Sequence, residues 1–355
     1  MGLLQHQFSK EFLEIVDYVY DQHFVLDQRL KKEYSDYQKM RMREDVEYNL
    51  SFLEIAYRLN DKTIFHEYSL WLMSLMMNLM PDVGLIRMKE KMVLHYQLMK
   101  EAFTKIEVYD NVDIIHQMLD DAILSTNQYE SYAYDTFETS DRFGVVRKRY
   151  LDYLSKHDSK SAMNFIMELF NAGFTLDEIY LDIIQKVMVE VGQLWHKGDI
   201  GVAEEHFITV ATQSVLSQFY PIIFSTPKKN LRLLSCSVGN ELHEMGIRMI
   251  SDLFEYHGWD TLYLGAAVPK KSILESIESE RPHVVALSVT MPQHLLLCRD
   301  IALEIKSKYP DVLVGVGGRA FTMTNEICKS WNVDLYATDA RLFIQLSEEK
   351  VMRID

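Results

Sequence analysis

Three short elements in the last third of the chain bring together residue types that bind ligands. Residues 241–246 contain a glutamate, a histidine and a glycine, and they are followed by the hydroxyl pair Ser288 and Thr290 and by the glycine pair Gly317 and Gly318. Histidine can coordinate a metal, hydroxyls can donate and accept hydrogen bonds, and glycines let a ligand approach the backbone. Each element alone is a weak signal. Their separations, 41 residues and then 26 residues, are informative.

A second group of candidate residues lies earlier in the chain. Trp195 and His196 are followed, after a short glycine-containing turn, by Glu205 and His206. An indole can pack on a flat organic group, and a carboxylate can accept hydrogen bonds from hydroxyls. The ordinary interpretation of a tryptophan at helical spacing is a bundle core residue, so both readings of Trp195 stay open at this point.

Composition narrows the class of protein. The 355 residues include 37 Lys and Arg against 52 Asp and Glu, and the net charge of −15 disfavours bulk nucleic-acid binding. Only three cysteines occur, at 236, 298 and 328, which fits a reducing cytoplasm better than a disulfide framework. We expect no signal peptide, and the most apolar stretch, 70–80, is too short to span a bilayer.

Proline divides the chain into a helical part and a mixed part. One proline, Pro81, occurs before Tyr220, and six follow it. Because helix interiors exclude proline, the first 220 residues are predicted to be almost entirely helical. Apolar periodicity predicts helices near 8–33, 36–60, 62–80, 83–107 and 110–134, and a second group near 143–156, 159–171, 176–197 and 202–223.

The remaining residues alternate between strand and helix. Strands are predicted at 231–238, 261–264, 284–290, 312–316 and 335–337, with helices at 246–257, 271–280, 295–308 and 322–331. Such alternation predicts a doubly wound, Rossmann-like parallel sheet with its ligand at the carboxyl ends of the strands. The expected fold class is α plus α/β. Its expected domains are a helical N-terminal domain (1–135), a four-helix cap bundle (140–226) and the sheet domain (229–355).

The three glycine-containing elements resemble the cobalamin-binding domain shared by methionine synthase, corrinoid carrier proteins and cobalamin-dependent regulators. That family's pattern is Asp-x-His-x-x-Gly, then Ser-x-Leu or Ser-x-Thr, then Gly-Gly, and the resemblance covers about residues 229–340. It implies that His243 is the lower cobalt ligand and that Glu241 accepts a hydrogen bond from the other ring nitrogen. Glutamate at position 241, where many carriers have aspartate, looks more like the light-responsive regulators.

The resemblance also implies roles for the glycines and hydroxyls. Gly246 would leave room for the nucleotide tail of the cofactor, and Ser288 and Thr290 would hydrogen-bond that tail. Gly317 and Gly318 would let the displaced base lie against the backbone. The alternative is that the histidine belongs to an ordinary loop and that the glycines serve only as turns.

The spacing between Trp195 and the pair Glu205 and His206 is similar to that in the adenosylcobalamin-dependent, light-responsive repressors. There, tryptophan occupies the upper face of the corrin beside the adenosyl group, and a Glu-His pair lines the same pocket. The resemblance therefore implies that Trp195, Glu205 and His206 contact the adenosyl group. His196 could reach cobalt once the upper ligand has left, and a surface histidine is the alternative.

We therefore expect a cytoplasmic photoreceptor or regulatory protein rather than an enzyme, with adenosylcobalamin as its cofactor. Residues 1–135 would signal to a protein partner or through self-association. The repressors' winged helix-turn-helix is not apparent, so we expect no direct nucleic-acid binding and no membrane partner. The leading alternative is a corrinoid methyl carrier for a methyltransferase system, and a scaffold with a vestigial cobalamin site is a third possibility.

Overall fold

The structure is a computed structural model that describes residues 9–135, 137 and 139–353. Within them the chain divides into two compact units. The first comprises the residues up to Ala133 with Met323–Asn325, and the second comprises Tyr134–Thr322 and the residues from Glu326 onward. None of the helices in the described ranges is long and apolar enough to cross a membrane.

The first unit is helical, as the sequence predicts. Its helices are α1 (Lys10–Leu26), α2 (Gln28–Glu33), α3 (Asp36–Leu59), α4 (Lys62–Leu79), α5 (Leu85–Lys105) and α6 (Val112–Gln128). Ser35 and Gln38 form a reciprocal capping box at the start of α3, and the Asp61 carboxylate accepts from the Thr63 amide (3.0 Å) at the start of α4. The single helix predicted at 8–33 is divided at Asp27, whose side chain caps α2.

The second unit begins with the bundle. It contains α7 (Gly144–Ser155), α8 (Ser159–Asn171), a π-helical turn (Glu178–Ile184) that continues into α9 (Gln185–Lys197), then α10 (Val202–Ser217) and the short α11 (Tyr220–Ile223). The π-helical turn disturbs the usual backbone pairing. The buried Arg147 compensates by donating from Nε to the Asp182 carbonyl (2.7 Å). The predicted helix at 202–223 ends at Ser217 because a turn precedes Pro221.

The sheet follows the bundle and is entirely parallel. Its strands are β1 (Arg232–Ser237), β2 (Asp260–Tyr263), β3 (Val284–Ser288), β4 (Leu313–Gly317) and β5 (Leu335–Tyr336), in the order β2-β1-β3-β4-β5. The helices are α12 (Met245–Tyr256), α13 (Lys270–Glu280), α14 (Leu295–Lys308) and α15 (Ala340–Val351). The strand order reverses between β1 and β3, where parallel α/β sheets bind their ligands. The predicted fold class is confirmed.

At the end of the chain one prediction was wrong and one helix was missed. The helix predicted at 322–331 consists of two 3-10 turns, Arg319–Met323 and Ile327–Trp331, because Glu326 and Asn332 adopt left-handed backbone conformations that interrupt a helix. The helix α15 was not predicted. Its start carries a recognisable signal, since the Asp339 carboxylate accepts from the Leu342 amide (3.0 Å).

Polar contacts join the bundle to the sheet domain within the second unit. The Tyr180 hydroxyl on the π-helical turn donates to the Asp252 carboxylate on α12 (3.2 Å). The Arg248 guanidinium donates to the Ser217 hydroxyl (2.8 Å) and the Tyr220 hydroxyl (3.0 Å). Burial raises the pKa of Asp252 to about 7, although Arg248 opposes the shift. The bundle is therefore held to α12 by oriented hydrogen bonds.

A partly buried histidine pair lies in the first unit. The His23 Nε2 atom on α1 is 3.1 Å from the His95 Nδ1 atom on α5, and the two rings stack. Burial lowers the pKa of His23 to about 4 and that of His95 to about 3, with the nearby Lys91 adding to the shift of His23. Both imidazoles are therefore neutral in the folded protein at neutral pH.

This pair should make the first unit sensitive to acid. Unfolded histidine takes up a proton near pH 6.5, whereas the folded pair does so only near pH 4, so stability falls as the pH falls between these values. The loss is at most about 1.4 kcal/mol per pH unit for each histidine. Hydrogen exchange of α1 and α5, corrected for intrinsic rates, should show this loss in wild type and a smaller loss in His95→Asn. His116→Asn serves as the control, and equal pH dependence in all three proteins would refute the assignment.

Candidate functional site

The loop after β1 presents an oriented imidazole. The Glu241 carboxylate accepts a hydrogen bond through Oε1 from the Nδ1 atom of His243. Its other oxygen, Oε2, accepts from the backbone amides of Thr290 (2.8 Å) and Met291 (2.9 Å). The Glu241 side chain is 1% exposed, whereas that of His243 is 62% exposed. The carboxylate thus fixes the orientation of the imidazole through Nδ1. The Nε2 atom, on the opposite edge of the ring, remains able to act as a ligand.

The hydrogen bonds also set the ionisation of this pair. Burial opposes ionisation of Glu241, but the hydrogen bonds from His243 and from the Met291 and Thr290 amides outweigh it and lower the Glu241 pKa. The hydrogen bond to Glu241 raises the pKa of His243, against the effect of burial. A carboxylate that stays ionised holds the imidazole in the tautomer with a proton on Nδ1.

Strand register brings the three sequence elements into one row. Ser237 at the end of β1 pairs with Ser288 at the end of β3, which pairs with Gly317 at the end of β4. All three lie at the carboxyl edge of the sheet, beside the point where the strand order reverses. The Ser237 hydroxyl donates to the His243 carbonyl (3.3 Å), which ties the histidine loop to this row. Residues 29 to 80 positions apart in sequence therefore share one edge.

The three glycines have different structural roles. A Cβ atom added to Gly246 or Gly317 would meet no atom within 4 Å, so both face open space. Gly318 has a φ of +103°, and a Cβ atom there would lie 2.3 Å from the Val289 carbonyl oxygen. Only glycine fits the third position without strain. The first two positions leave the backbone open to the approach of a ligand.

Trp195, Glu205 and His206 all lie at one end of the bundle, where α9 ends and α10 begins. Trp195 lies in the last turn of α9, Gly198 closes that helix in a left-handed conformation, and Glu205 lies in the first turn of α10. The Glu205 carboxylate is 2.6 Å from His206 Nδ1 and accepts from the Thr209 hydroxyl (2.9 Å). An anionic side chain is favoured in a first helical turn.

This end of the bundle lies within electrostatic reach of the histidine loop. Glu205 contributes to the raised pKa of His243, and Arg319, which follows β4, opposes it. The exposed imidazole thus has a carboxylate from the bundle and a cation from the sheet edge among its neighbours. Charged side chains from both halves of the second unit therefore act on the same imidazole.

The sequence leaves a surface position as the alternative role of His196, and the structure rules that position out. It is 4% exposed, and its ring packs against Tyr134 with the centroids 5.6 Å apart. The Lys197 ammonium lies 4.5 Å from the centroid of the same tyrosine ring. Access of His196 to a metal would require it to leave this contact.

Sequence reasoning missed three features of the site. The Thr290 and Met291 backbone amides carry no residue-type signal, and Ser237 is one of several serines in an apolar run. Leu242, immediately before His243, is 78% exposed and offers an apolar surface beside the imidazole. One signal in the sequence could have identified Leu242: it is an apolar residue next to a histidine in the loop between a strand and a helix.

These features together fit a corrinoid. An exposed imidazole with a buried carboxylate partner suits an axial nitrogen ligand, and an adjacent apolar residue suits the macrocycle. The open space at Gly246 and Gly317 leaves room for a side tail. Among the described residues, no group of three or more His, Cys, Asp or Glu side chains could hold a bare metal ion.

Comparison with known proteins defines the class. Residues 231–341 match the model of the B12 binding domain, and residues 146–220 match the model of a second B12 binding domain family. The second unit therefore contains a B12-binding module made of a helical bundle followed by a Rossmann-like domain. The resemblance inferred from the sequence is confirmed.

Individual relatives extend this result. The chain is 25% identical over 158 residues to the HTH-type transcriptional repressor CarH of Myxococcus xanthus, an alignment that covers 44% of this chain and 52% of the repressor. The chain thus spans about half the length of that curated relative.

Two solved structures are also similar. The monomethylamine corrinoid protein of Methanosarcina barkeri is similar with a TM-score of 0.52 at 14% identity, covering 59% of this chain and 99% of that protein, and it shares the fold. A cobalamin-binding protein of Desulfitobacterium hafniense gives a TM-score of 0.33 at 19% identity over 57% of this chain and 96% of that one.

The two neighbouring glycines should respond differently to alanine. Gly318→Ala should lower the free energy of unfolding by about 1–3 kcal/mol, because it combines a left-handed φ with a backbone clash. Gly317→Ala should fold as wild type, because a Cβ atom there meets no neighbour. It should bind cobalamin about tenfold or more weakly, because its methyl group would occupy the open space that the cofactor's tail is expected to use. Thermal unfolding of the apoprotein and cobalamin titration measure the two effects. Equal stability losses in both variants would contradict the distinction.

Proposed function

We propose that this protein is an adenosylcobalamin-binding regulator that senses light. The observation that carries the proposal is the oriented His243 imidazole, with Glu205 of the bundle in electrostatic reach and Trp195 at the same bundle end. A protein that only stores or transfers a cofactor has no need of a bulky indole and a carboxylate above the metal. A sensor of the adenosyl group would use both side chains to contact that group.

The sheet domain would hold the lower side of the cofactor. His243 would bind cobalt through Nε2, with Glu241 fixing the ring and Leu242 lying against the macrocycle. Ser288 and Thr290 would hydrogen-bond the nucleotide tail. Gly246, Gly317 and Gly318 would line its path. These roles rest on the hydrogen bonds and open space described above.

The bundle would hold the upper side. Trp195 would pack on the adenosyl group, while Glu205 and His206 would bind its ribose hydroxyls. When bound, adenosylcobalamin supplies a carbon–cobalt bond that visible light breaks. After loss of the adenosyl group, the space beside Trp195 would lose its packing partner. Packed interiors do not tolerate such a void, so the bundle would shift.

Specific hydrogen bonds would transmit the movement of the bundle to the sheet domain. Tyr180–Asp252 and the Arg248 hydrogen bonds to Ser217 and Tyr220 join the bundle to α12, whose first turn contains Gly246. His196 would leave Tyr134 and bind cobalt as the upper ligand of the illuminated state. The helical first unit would pass the change to a protein partner or through self-association. We propose no direct nucleic-acid contact and a cytoplasmic location.

A corrinoid methyl carrier is the alternative function. The fold shared with the monomethylamine corrinoid protein supports it as a candidate. A carrier must leave the upper face of cobalt open to methyl donors and acceptors. Trp195, Glu205 and His206 would obstruct that face, so we favour the sensor.

Removal of the lower ligand should alter both affinity and spectrum. His243→Ala should bind hydroxocobalamin at least about tenfold more weakly and in a base-on form, and Glu241→Ala should weaken binding about 10- to 100-fold. His206→Ala is the control, because it leaves the lower ligand intact. Absorbance titration measures both quantities. A histidine-ligated spectrum in His243→Ala would contradict the assignment.

Illumination should change the shape or assembly of the loaded protein. We expect green light to change the absorption spectrum and the scattering profile of protein loaded with adenosylcobalamin in the dark. Protein loaded with hydroxocobalamin, which has no carbon–cobalt bond, is the control. His196→Ala should still respond to light but lose the bis-histidine spectrum afterwards. Photolysis without any change in shape, assembly or partner binding would refute the sensor, and methyl transfer from methylcobalamin to an acceptor would support the carrier.

A further inference from the structure

The large apolar side chains that the first unit exposes are concentrated at one end of its helices. Among the described residues of that unit, all but one of the exposed large hydrophobic residues lie where α1 or α4 ends or where α3 or α5 begins. The exception is Leu124 on α6. We call the seven clustered residues the apolar end: Val25, Leu26, Tyr37, Met40, Leu79, Met80 and Ile86.

The directions of the helices bring these residues to the same end of the unit. Only two residues separate α3 from α4, and the two helices pack against each other, so they run antiparallel. On α1, Tyr18 donates to Glu101 of α5 (2.7 Å). His23, later on α1, lies beside His95, which is earlier on α5 (3.1 Å). Because α1 and α5 are therefore also antiparallel, the end of α1 and the start of α3 lie at the same end as the turn between α4 and α5.

The opposite end of the unit is closed by a polar contact. Asp61, which caps α4 there, also accepts through Oδ2 from the backbone amide of Asn325 (2.7 Å), and both residues belong to the first unit. Asp61 is buried, and none of the exposed large hydrophobic residues described in this unit lies at that end. The two ends thus differ, because one is covered within the chain and the apolar end is not.

The apolar end is large enough for a stable interface. Its seven residues are between 39% and 76% exposed, and together they present on the order of 800 Å² to solvent, the area that each partner contributes to a standard-size interface. Monomeric proteins rarely expose apolar patches larger than a few hundred Å². Such a surface is typical of one that another protein surface covers.

The local charge favours a second copy of the same chain as the occupant. Segments 25–41 and 79–91, which contain the apolar end, hold eight Lys or Arg and five Asp or Glu, whereas the whole chain has a net charge of −15. Two acidic chains therefore repel each other least when they meet at this end, because salt screens the charges that lie further away.

The mixture of signs also distinguishes a second copy from a polyanion. Arg29 pairs with Asp27 (2.9 Å), and Lys39 pairs with Asp36 (3.7 Å), so two of the cations are already neutralised within the chain. A nucleic acid or an anionic membrane favours a dense basic surface of one sign. A symmetric pair instead needs a surface that is complementary to itself, and charges of both signs around an apolar centre provide one.

We propose that two copies of this chain associate through their apolar ends in a symmetric dimer. In this contact the same patch on each copy meets its counterpart, with the seven apolar residues at the centre and the charged residues at the rim. The inference rests on the proposed function for its role in signalling, and it deepens that function by naming the contact through which the first unit self-associates. The pairing itself requires no cofactor.

Charge substitution at the apolar end tests the proposal. Cofactor-free protein should be a dimer at micromolar concentrations in sedimentation equilibrium. Ile86→Glu should weaken association at least about tenfold, and Tyr37→Glu/Ile86→Glu should weaken it further, because the interface would bury carboxylates without partners. Both positions lie in the first turn of a helix, where glutamate is favoured, so helical circular dichroism should be unchanged. Leu124→Glu makes the same substitution on the side of the unit and should associate as wild type.

Three results would overturn the proposal. The first is a monomeric wild type, and the second is equal association of wild type and Tyr37→Glu/Ile86→Glu. The third is a monomer that sediments with phosphatidylserine vesicles, which would identify a membrane as the occupant. A dimer that fails to bind cobalamin would refute the proposed function and leave the dimer contact supported.

A spin-label measurement decides the question should the glutamate variants fold poorly. The three natural cysteines are buried, so a label added to Ile86→Cys would react at that position. It should show dipolar coupling between copies, and a label on Leu124→Cys should show weaker coupling. Absence of coupling from position 86 would overturn the proposal.

Discussion

The Glu241 carboxylate joins the loops after β1 and β3 at the point where the strand order reverses. One oxygen accepts from His243, and the other accepts from the Thr290 and Met291 amides. A carboxylate with a 1% exposed side chain is tolerated only when hydrogen bonds replace its water. The two loops must therefore stay together for either to be stable. Every other feature of the site is positioned relative to this contact.

The imidazole is exposed because its partner is buried. Glu241 holds the Nδ1 edge of the ring, so the rest of the His243 imidazole is exposed, and Glu205 of the bundle contributes to its raised pKa. The row of Ser237, Ser288 and Gly317 lies at the same edge, beside the histidine loop. A ligand held by the imidazole would therefore lie beside this row and beside the open space at Gly317. This geometry suits a cofactor with a macrocycle and a long tail.

The bundle is attached to the sheet domain by hydrogen bonds that depend on orientation. Tyr180 on the π-helical turn binds Asp252, and Arg248 binds two hydroxyls on the bundle. Such contacts break or re-form when helices shift, whereas purely apolar contacts can slide. His196 is buried against Tyr134, so its proposed approach to cobalt requires a rearrangement of the bundle end. In the proposed response to light, the movement of the bundle would therefore break specific hydrogen bonds and one ring contact.

The sequence by itself determined the helical first half, the parallel sheet and the resemblance carried by the three candidate elements, because periodicity, proline placement and motif spacing are local signals. It missed α15 and misassigned 322–331, where left-handed residues at Glu326 and Asn332 interrupt the helix. Only the tertiary structure decided that the Glu241 carboxylate accepts from the Thr290 and Met291 amides and that His196 is buried. Those facts depend on strand register and on helix packing across the sheet, and neither is encoded in the spacing of residues along the chain.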